Sequence, residues 1–251
     1  RNHSSAASDV YKRQISKGKD LNKDQSYALW GISQKNLSRT IFPLGSLEKD
    51  EIKKIALDRG YDNLVKKSES YEICFVPDND YRSFLKKRVS NIDKVIKKGD
   101  FITEDGQTVG THQGYPFYTI GQRKGLGLAL GYPIYVTNID VEKNTVTVGT
   151  FDELKRNGMY VDKLNFMKYD NIDGRLNAYT KIRYNDSGNP SVIEKVGDTM
   201  KVYFGAGVNA ITPGQAAVFY EDNDVIGGGW IKSSFNQNKI KSDSNTLIKN
   251  D

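Results

Sequence analysis

Cysteine and histidine are nearly missing from this 251-residue chain, which holds one Cys and two His. A single cysteine excludes an intrachain disulfide and any zinc site built on several thiolates. Two histidines, one of them in the first residues, leave little for metal-centred or Ser-His-Asp chemistry. No resident metal is expected, and any catalysis must run through few groups. Long apolar runs are missing too. Hydrophobic residues make up 37 % of the chain, mean hydropathy is −0.61, and nothing approaches the roughly 20 apolar residues of a membrane helix. With no charged stretch leading into an apolar one, a secretory signal is not found either, so a cytoplasmic protein without membrane attachment is expected. What is abundant is charge. The 37 Lys and Arg exceed the 31 Asp and Glu to give a net +6, and they are interleaved with 15 tyrosines. That balance favours a polyanionic partner such as nucleic acid, although a lysine-rich surface can also be merely solvated.

The chain divides by the period of its apolar residues. Arg1 to Gln14 shows no periodicity and resembles a translated adaptor sequence, so residues 1–14 are read as a non-native stub. From Asp24 to Leu37 a helix is expected, with Asp24 as cap and Tyr27, Leu29 and Trp30 as apolar bulk. A second helix follows Ser46, its expected cap. Glu48, Asp50 and Glu51 fill its first turn, Ile52, Ile55 and Ala56 form one face, and Arg59-Gly60 closes it. Tyr81, Phe84 and Leu85 mark a short third helix, and the run Ile73-Cys74-Phe75-Val76 has the character of a strand. Beyond Val89 the period becomes alternating. Hairpins are expected around Asp105-Gly106 and around Lys143-Asn144, the latter joining Ile134–Val136 to Val146–Val148. Further strands are expected at 179–184, 192–196, 200–204, 217–220 and 225–231, a spacing that suits one or two small β-barrels. The stretch from Asn236 to Asp251 is polar and repetitive and reads as a disordered tail.

Several segments carry groups suited to chemistry, and each also has an ordinary structural reading. Cys74, between Ile73 and Phe75, is either a small buried hydrophobe or a thiol activated by the field of Lys66, Lys67 and Arg82. Lys23-Asp24-Gln25-Ser26-Tyr27 is either a helix cap or a cluster able to meet a phosphate and a base edge. In Tyr118-Thr119-Ile120-Gly121-Gln122-Arg123-Lys124-Gly125-Leu126-Gly127 the glycines allow close backbone approach, and Arg123 and Lys124 suit phosphates. The spacing is not that of a Walker loop, and a basic β-turn is the alternative. Lys181 and Arg183 are expected on one face of a strand, where Arg183 and Tyr184 could hold a phosphate and stack on a base, or simply face water. Thr212-Pro213-Gly214-Gln215 reads as a turn.

Taken in order and spacing, these segments, together with Phe42-Pro43-Leu44-Gly45, Glu72-Ile73-Cys74-Phe75 and Gly227-Gly228-Gly229, resemble the tRNA-specific 2-thiouridylases from about Gly18 to Ile231. The resemblance implies an α/β remnant of an ATP-pyrophosphatase-type domain (15–88), followed by two small all-β domains (89–157 and 158–234, the last a β-barrel) and a tail (235–251). It implies a sulfurtransferase that activates the C2 oxygen of the wobble uridine with ATP and replaces it with sulfur from a cysteine persulfide, giving 2-thiouridine. By the same resemblance Cys74 bears the persulfide, while Lys23, Asp24, Gln25, Arg183, Tyr184 and Gln215 contact tRNA. The implied partners are tRNA and a sulfur-donor protein, either a persulfide relay or a cysteine desulfurase. The family's SGGVDS ATP loop and its first catalytic cysteine precede the segment that begins at Lys23, and neither occurs here, so this chain alone is expected to be inactive. The rival reading is a non-catalytic RNA-binding β-barrel protein with a structural cysteine.

Overall fold

The computed structural model describes residues 13–67, 81–88 and 96–236. Residues 1–12, the expected Ile73–Val76 strand with Cys74, and the tail beyond Asn236 lie outside the described residues. The N-terminal part is made of short helices. A 3₁₀ turn at Ser26–Leu29 is followed by α1 (Gln34–Leu37), α2 (Lys49–Asp58) and α3 (Asp62–Lys66), and α4 (Tyr81–Arg88) forms where the third helix is expected. One continuous helix from Asp24 to Leu37 does not form. Asp24 does not cap a helix; its Oδ1 accepts the amides of Gly18 and Ser26 and closes a local turn. Downstream, the Asn165 side chain donates to the carbonyls of Trp30 (2.6 Å) and Ile32 (3.2 Å), so these acceptors are taken from outside the helix ladder. Ser33 then starts α1 afresh by accepting from the Asn36 amide. α2 begins at Glu48 rather than Ser46, because the Glu51 carboxylate reaches back 2.7 Å to the Glu48 amide. Its end is as expected: Gly60 adopts φ +77° and the Tyr61 amide returns to the Ala56 carbonyl.

The middle of the chain forms a four-stranded mixed sheet from β1 (Gly99–Ile102), β2 (Thr108–His112), β3 (Tyr135–Asp140) and β4 (Thr145–Gly149), in the order β2-β1-β4-β3. Both expected hairpins are present, with left-handed residues at Gly106 (φ +86°) and Asn144 (φ +52°), and they are joined by a parallel β1–β4 pairing. Phe101, Phe117, Tyr118, Leu126, Ile134, Val136, Val146 and Val148 make its core.

His112 is buried beside Phe101 and Tyr118, with ring centroids 5.4 and 5.6 Å away. Its Nδ1 accepts the Gly114 amide (3.0 Å), so the ring proton lies on Nε2 and faces the Asn144 carbonyl. Burial lowers its pKa from 6.5, against the opposing pull of Asn144 and Asp100. A proton therefore binds the unfolded chain first, and the histidine's contribution to stability, complete above the ordinary value, is lost as pH falls through the depressed one. Thermal melts at pH 7.5 and 5 should show the loss in the wild type and a flatter dependence in His112→Phe. Equal slopes in the two proteins would refute the account.

The last domain is a closed antiparallel barrel of β5 (Lys155–Phe166), β6 (Arg175–Lys181), β7 (Asn189–Val196), β8 (Thr199–Asn209), β9 (Ala216–Glu221) and β10 (Asp224–Phe235), in the order β10-β5-β8-β7-β6-β9. Met159, Val161, Ile193, Met200, Val202, Phe219 and Ile226 fill its interior. The N-terminal segment packs on the outside. Ile15, Trp30 and Leu37 cover Val218, Tyr220 and Val225, and Trp30 meets Trp230 edge-on at 5.7 Å. Gly228 makes room for this contact, since a Cβ there would lie 2.9 Å from the Trp30 ring. Burying an aromatic side chain this deeply contributes roughly 2–3 kcal/mol. Arg13 and Gln14 join the same packing, Gln14 donating to the Val225 carbonyl at 2.8 Å and the Arg13 amide to Gln34.

Candidate nucleic-acid interface

Three segments far apart in sequence meet at one end of the barrel, where β6 and β8 finish and β9 starts. The first is the turn at 23–27. Asp24 faces inward with both carboxylate oxygens engaged, which leaves Lys23 and Gln25 exposed on either side of it. Gln25 donates from Nε2 to the Tyr184 hydroxyl at 2.7 Å. Tyr27 stands edge-on to Tyr184 with ring centroids 6.4 Å apart, and its hydroxyl donates to the Ala216 carbonyl at 2.8 Å. Burial, with the Asp186 carboxylate adding to it against Arg183, pushes the Tyr27 phenol up to about 12, so it stays a donor at neutral pH.

The second segment is the turn after β6. The strand stops at Lys181, so Arg183 does not share a strand face with it and instead lies in a loop held by Asp186, which accepts the Ile182 amide. The ladder ends here because Asp186 and Asn189 satisfy the local groups that a longer strand would pair. Arg183 is exposed but anchored, since Nη2 donates to the carbonyls of Asn209 (2.9 Å) and Ala210 (3.3 Å). Its remaining donors can meet a phosphate from a fixed position.

The third segment is the loop between β8 and β9. Its backbone is tied to β10 in both directions, Gly214 N–H to the Ile231 carbonyl and Ile231 N–H to the Gln215 carbonyl. The Gln215 side chain stays at the surface next to Ala216, the residue that Tyr27 grips. Ala210, at φ +55°, also abuts the glycine-rich loop of the central domain, for a Cβ on Gly121 would come within 2.9 Å of it. Within that loop Gln122 accepts the Thr119 amide and donates to the Lys124 carbonyl, and Arg123 and Lys124 are exposed. The arrangement therefore offers cations, amide groups and an exposed tyrosine ring on one surface, the combination that meets phosphates and bases.

All six residues named for nucleic-acid contact thus lie at this end of the barrel, whereas Cys74 lies outside the described residues. Sequence reading missed Tyr220 and Asp186 and named Ser26 only as part of the 23–27 cluster; these three hold the surface residues in place. Ser26 and Tyr220 are 194 residues apart, and no local signal joins them.

Comparison with known proteins agrees with this architecture. Residues 3–78 match a family described as the tRNA methyl transferase HUP domain, residues 82–150 the tRNA methyl transferase PRC-barrel domain, and residues 156–231 the aminomethyltransferase beta-barrel domain. The class is therefore a HUP-type domain portion followed by a PRC-barrel domain and a closed β-barrel. The chain is 65 % identical over 228 residues to the tRNA-specific 2-thiouridylase MnmA of Amoebophilus asiaticus, covering 90 % of this chain and 61 % of that protein. It is 63 % identical over 224 residues to the protein of the same name in Cytophaga hutchinsonii (89 % and 61 % covered). To that of Salinibacter ruber it is 53 % identical over 218 residues (86 % and 57 % covered). Over about nine tenths of its length the chain is thus similar to proteins named tRNA-specific 2-thiouridylase. It spans about three fifths of the length of these relatives.

Proposed function

We propose that this chain supplies the tRNA-gripping and sulfur-carrying parts of a tRNA-uridine 2-sulfurtransferase, with Cys74 as the persulfide residue. The observation that carries the reading is the meeting of Lys23, Gln25, Arg183, Tyr184 and Gln215, from three distant segments, at one barrel end. Arg183 and Lys23 meet phosphates there, Tyr184 offers a ring face, and Gln25 and Gln215 offer amide groups to base or sugar. Asp24 holds this set in shape. Cys74 accepts sulfur from a donor protein, a persulfide relay or a cysteine desulfurase. Its terminal sulfur, a strong nucleophile as the anion at neutral pH, attacks C2 of the wobble uridine and displaces the activated C2 oxygen. A second thiol from outside these 251 residues then attacks the Cys74 sulfur, which breaks the S–S bond, leaves the transferred sulfur on C2 and ends as a disulfide with Cys74. The setting is the cytoplasm.

ATP supplies activation of the C2 oxygen in this reading of the whole protein, but the described residues do not fit it. The glycine-rich loop at 121–131 runs into β3 and not into a helix N-terminus, where phosphate-binding amides collect. Gly45 does precede a helix, yet Glu48, Asp50 and Glu51 occupy the first turn of α2 and would repel a phosphate. No step of nucleotide chemistry is assigned to these residues.

By itself the 251-residue chain should bind tRNA and fail to thiolate it. A gel shift beside a thiolation assay with ATP and a sulfur donor tests this, run also on a version preceded by the corresponding upstream region of the Amoebophilus asiaticus relative. Binding by both and thiolation by the longer one alone is the expected outcome. Thiolation by the short chain would mean that the nucleotide site has been misplaced, and a folded chain without tRNA affinity would remove the interface.

A further inference from the structure

Beneath the exposed Lys23–Gln25 turn runs a buried chain of hydrogen bonds whose direction can be deduced. A carboxylate can only accept, so the Ser26 hydroxyl donates its one proton to Asp24 Oδ2 at 2.7 Å. The Tyr220 hydroxyl, 3.1 Å from Ser26 Oγ, must then be the donor of that contact. Ser26 is 2 % exposed and Tyr220 is fully buried on the outer face of β9. The other oxygen of Asp24 accepts the backbone amides of Gly18 and Ser26. Burial pushes the Tyr220 phenol up to about 12, which keeps its proton in place at neutral pH. Gln25 therefore sits between two residues that are pinned from below, and its side chain meets Tyr184.

From this geometry we infer that Ser26 and Tyr220 are positioning residues for tRNA binding: they never touch the RNA, and they set where Lys23 and Gln25 present their side chains. The inference rests on the proposed tRNA interface. An alternative role, mere attachment of the N-terminal segment to the barrel, is already served by Trp30 and Leu37. Loss of the Ser26 hydroxyl would strand both the Tyr220 hydroxyl and one oxygen of Asp24, so the turn would readjust toward water. Loss of the Tyr220 oxygen leaves the Ser26–Asp24 bond intact, so its effect should be smaller.

A double-mutant cycle separates positioning from attachment. Affinity for an unmodified tRNA transcript would be measured by fluorescence anisotropy for the wild-type chain, Ser26→Ala and Tyr220→Phe. The same two changes would then be made in a Lys23→Ala/Gln25→Ala background. In the wild-type background Ser26→Ala should weaken binding about tenfold and Tyr220→Phe about threefold, the size expected for one lost buried hydrogen bond or two. In the doubly substituted background both penalties should shrink to near nothing, since the side chains being positioned are gone. Penalties that persist there at full size, or an absence of any penalty in a wild type that binds tRNA, overturn the inference. Should Ser26→Ala not fold, Tyr220→Phe decides, because it removes a single oxygen and leaves the ring packed. A folded wild-type chain with no tRNA affinity would instead overturn the proposed interface itself, and the positioning role with it.

Discussion

Replacing Cys74 by serine in a version of the protein that includes the relatives' upstream region should lower tRNA thiolation by on the order of a thousandfold or more. A serine oxygen cannot hold a transferable sulfur, and its hydroxyl is un-ionised at neutral pH, where a thiol can be activated. No second thiol in the 251-residue chain can take over. Affinity for tRNA should stay within about twofold of wild type, because the change removes no cation and lies outside the set formed by Lys23, Gln25, Arg183, Tyr184 and Gln215. That split between activity and binding is the diagnostic result. Thiolation that survives the substitution would place the sulfur carrier elsewhere and leave Cys74 as a structural residue, as in the rival reading of an RNA-binding barrel.

The second large effect is expected at the cations. Lys23→Ala and Arg183→Ala should each weaken tRNA binding about tenfold at low salt. Each should also reduce the slope of log affinity against log salt by about one, the signature of one lost phosphate contact. Arg183 should be the more sensitive of the two. Its Nη2 also holds the carbonyls of Asn209 and Ala210, so alanine there removes a charge and frees the loop that presents Gln215. Arg183→Lys keeps the charge but not the fork, and it should restore most of the salt slope while recovering only part of the affinity. Titrations at several salt concentrations check this, and unchanged slopes in both alanine variants would mean that these side chains merely face water.

Much of the β-rich half was readable because its turns carry their own chemistry. Asp105-Gly106 and Lys143-Asn144 sit where the backbone needs a left-handed residue, and both hairpins form around them. The long strand β5 escaped notice for the converse reason. Asn157-Gly158 and Asp162-Lys163 look like turns, yet Gly158 is a site of close packing under Phe235, and Lys163 takes φ +49° within the strand. Helix boundaries failed where a distant side chain intervened. Asn165 takes the carbonyls of Trp30 and Ile32, and nothing near residue 30 announces it. The surface residues of the candidate interface stood out in short motifs, whereas their meeting at one barrel end depends on strand order, which the one-dimensional pattern does not contain. The scaffold below them, Ser26 with Tyr220 and Arg183 with Ala210, is legible only once the barrel closes.

The central claim is that Cys74 carries sulfur, and intact-mass spectrometry of the folded chain tests it most directly. After incubation with a cysteine desulfurase and cysteine, followed by removal of the enzyme, the wild-type chain should gain one sulfur atom that a thiol reductant removes. Peptide mapping should place it on Cys74, and Cys74→Ser should gain none. A folded, tRNA-binding chain that takes up no sulfur in the presence of an active desulfurase would contradict the account.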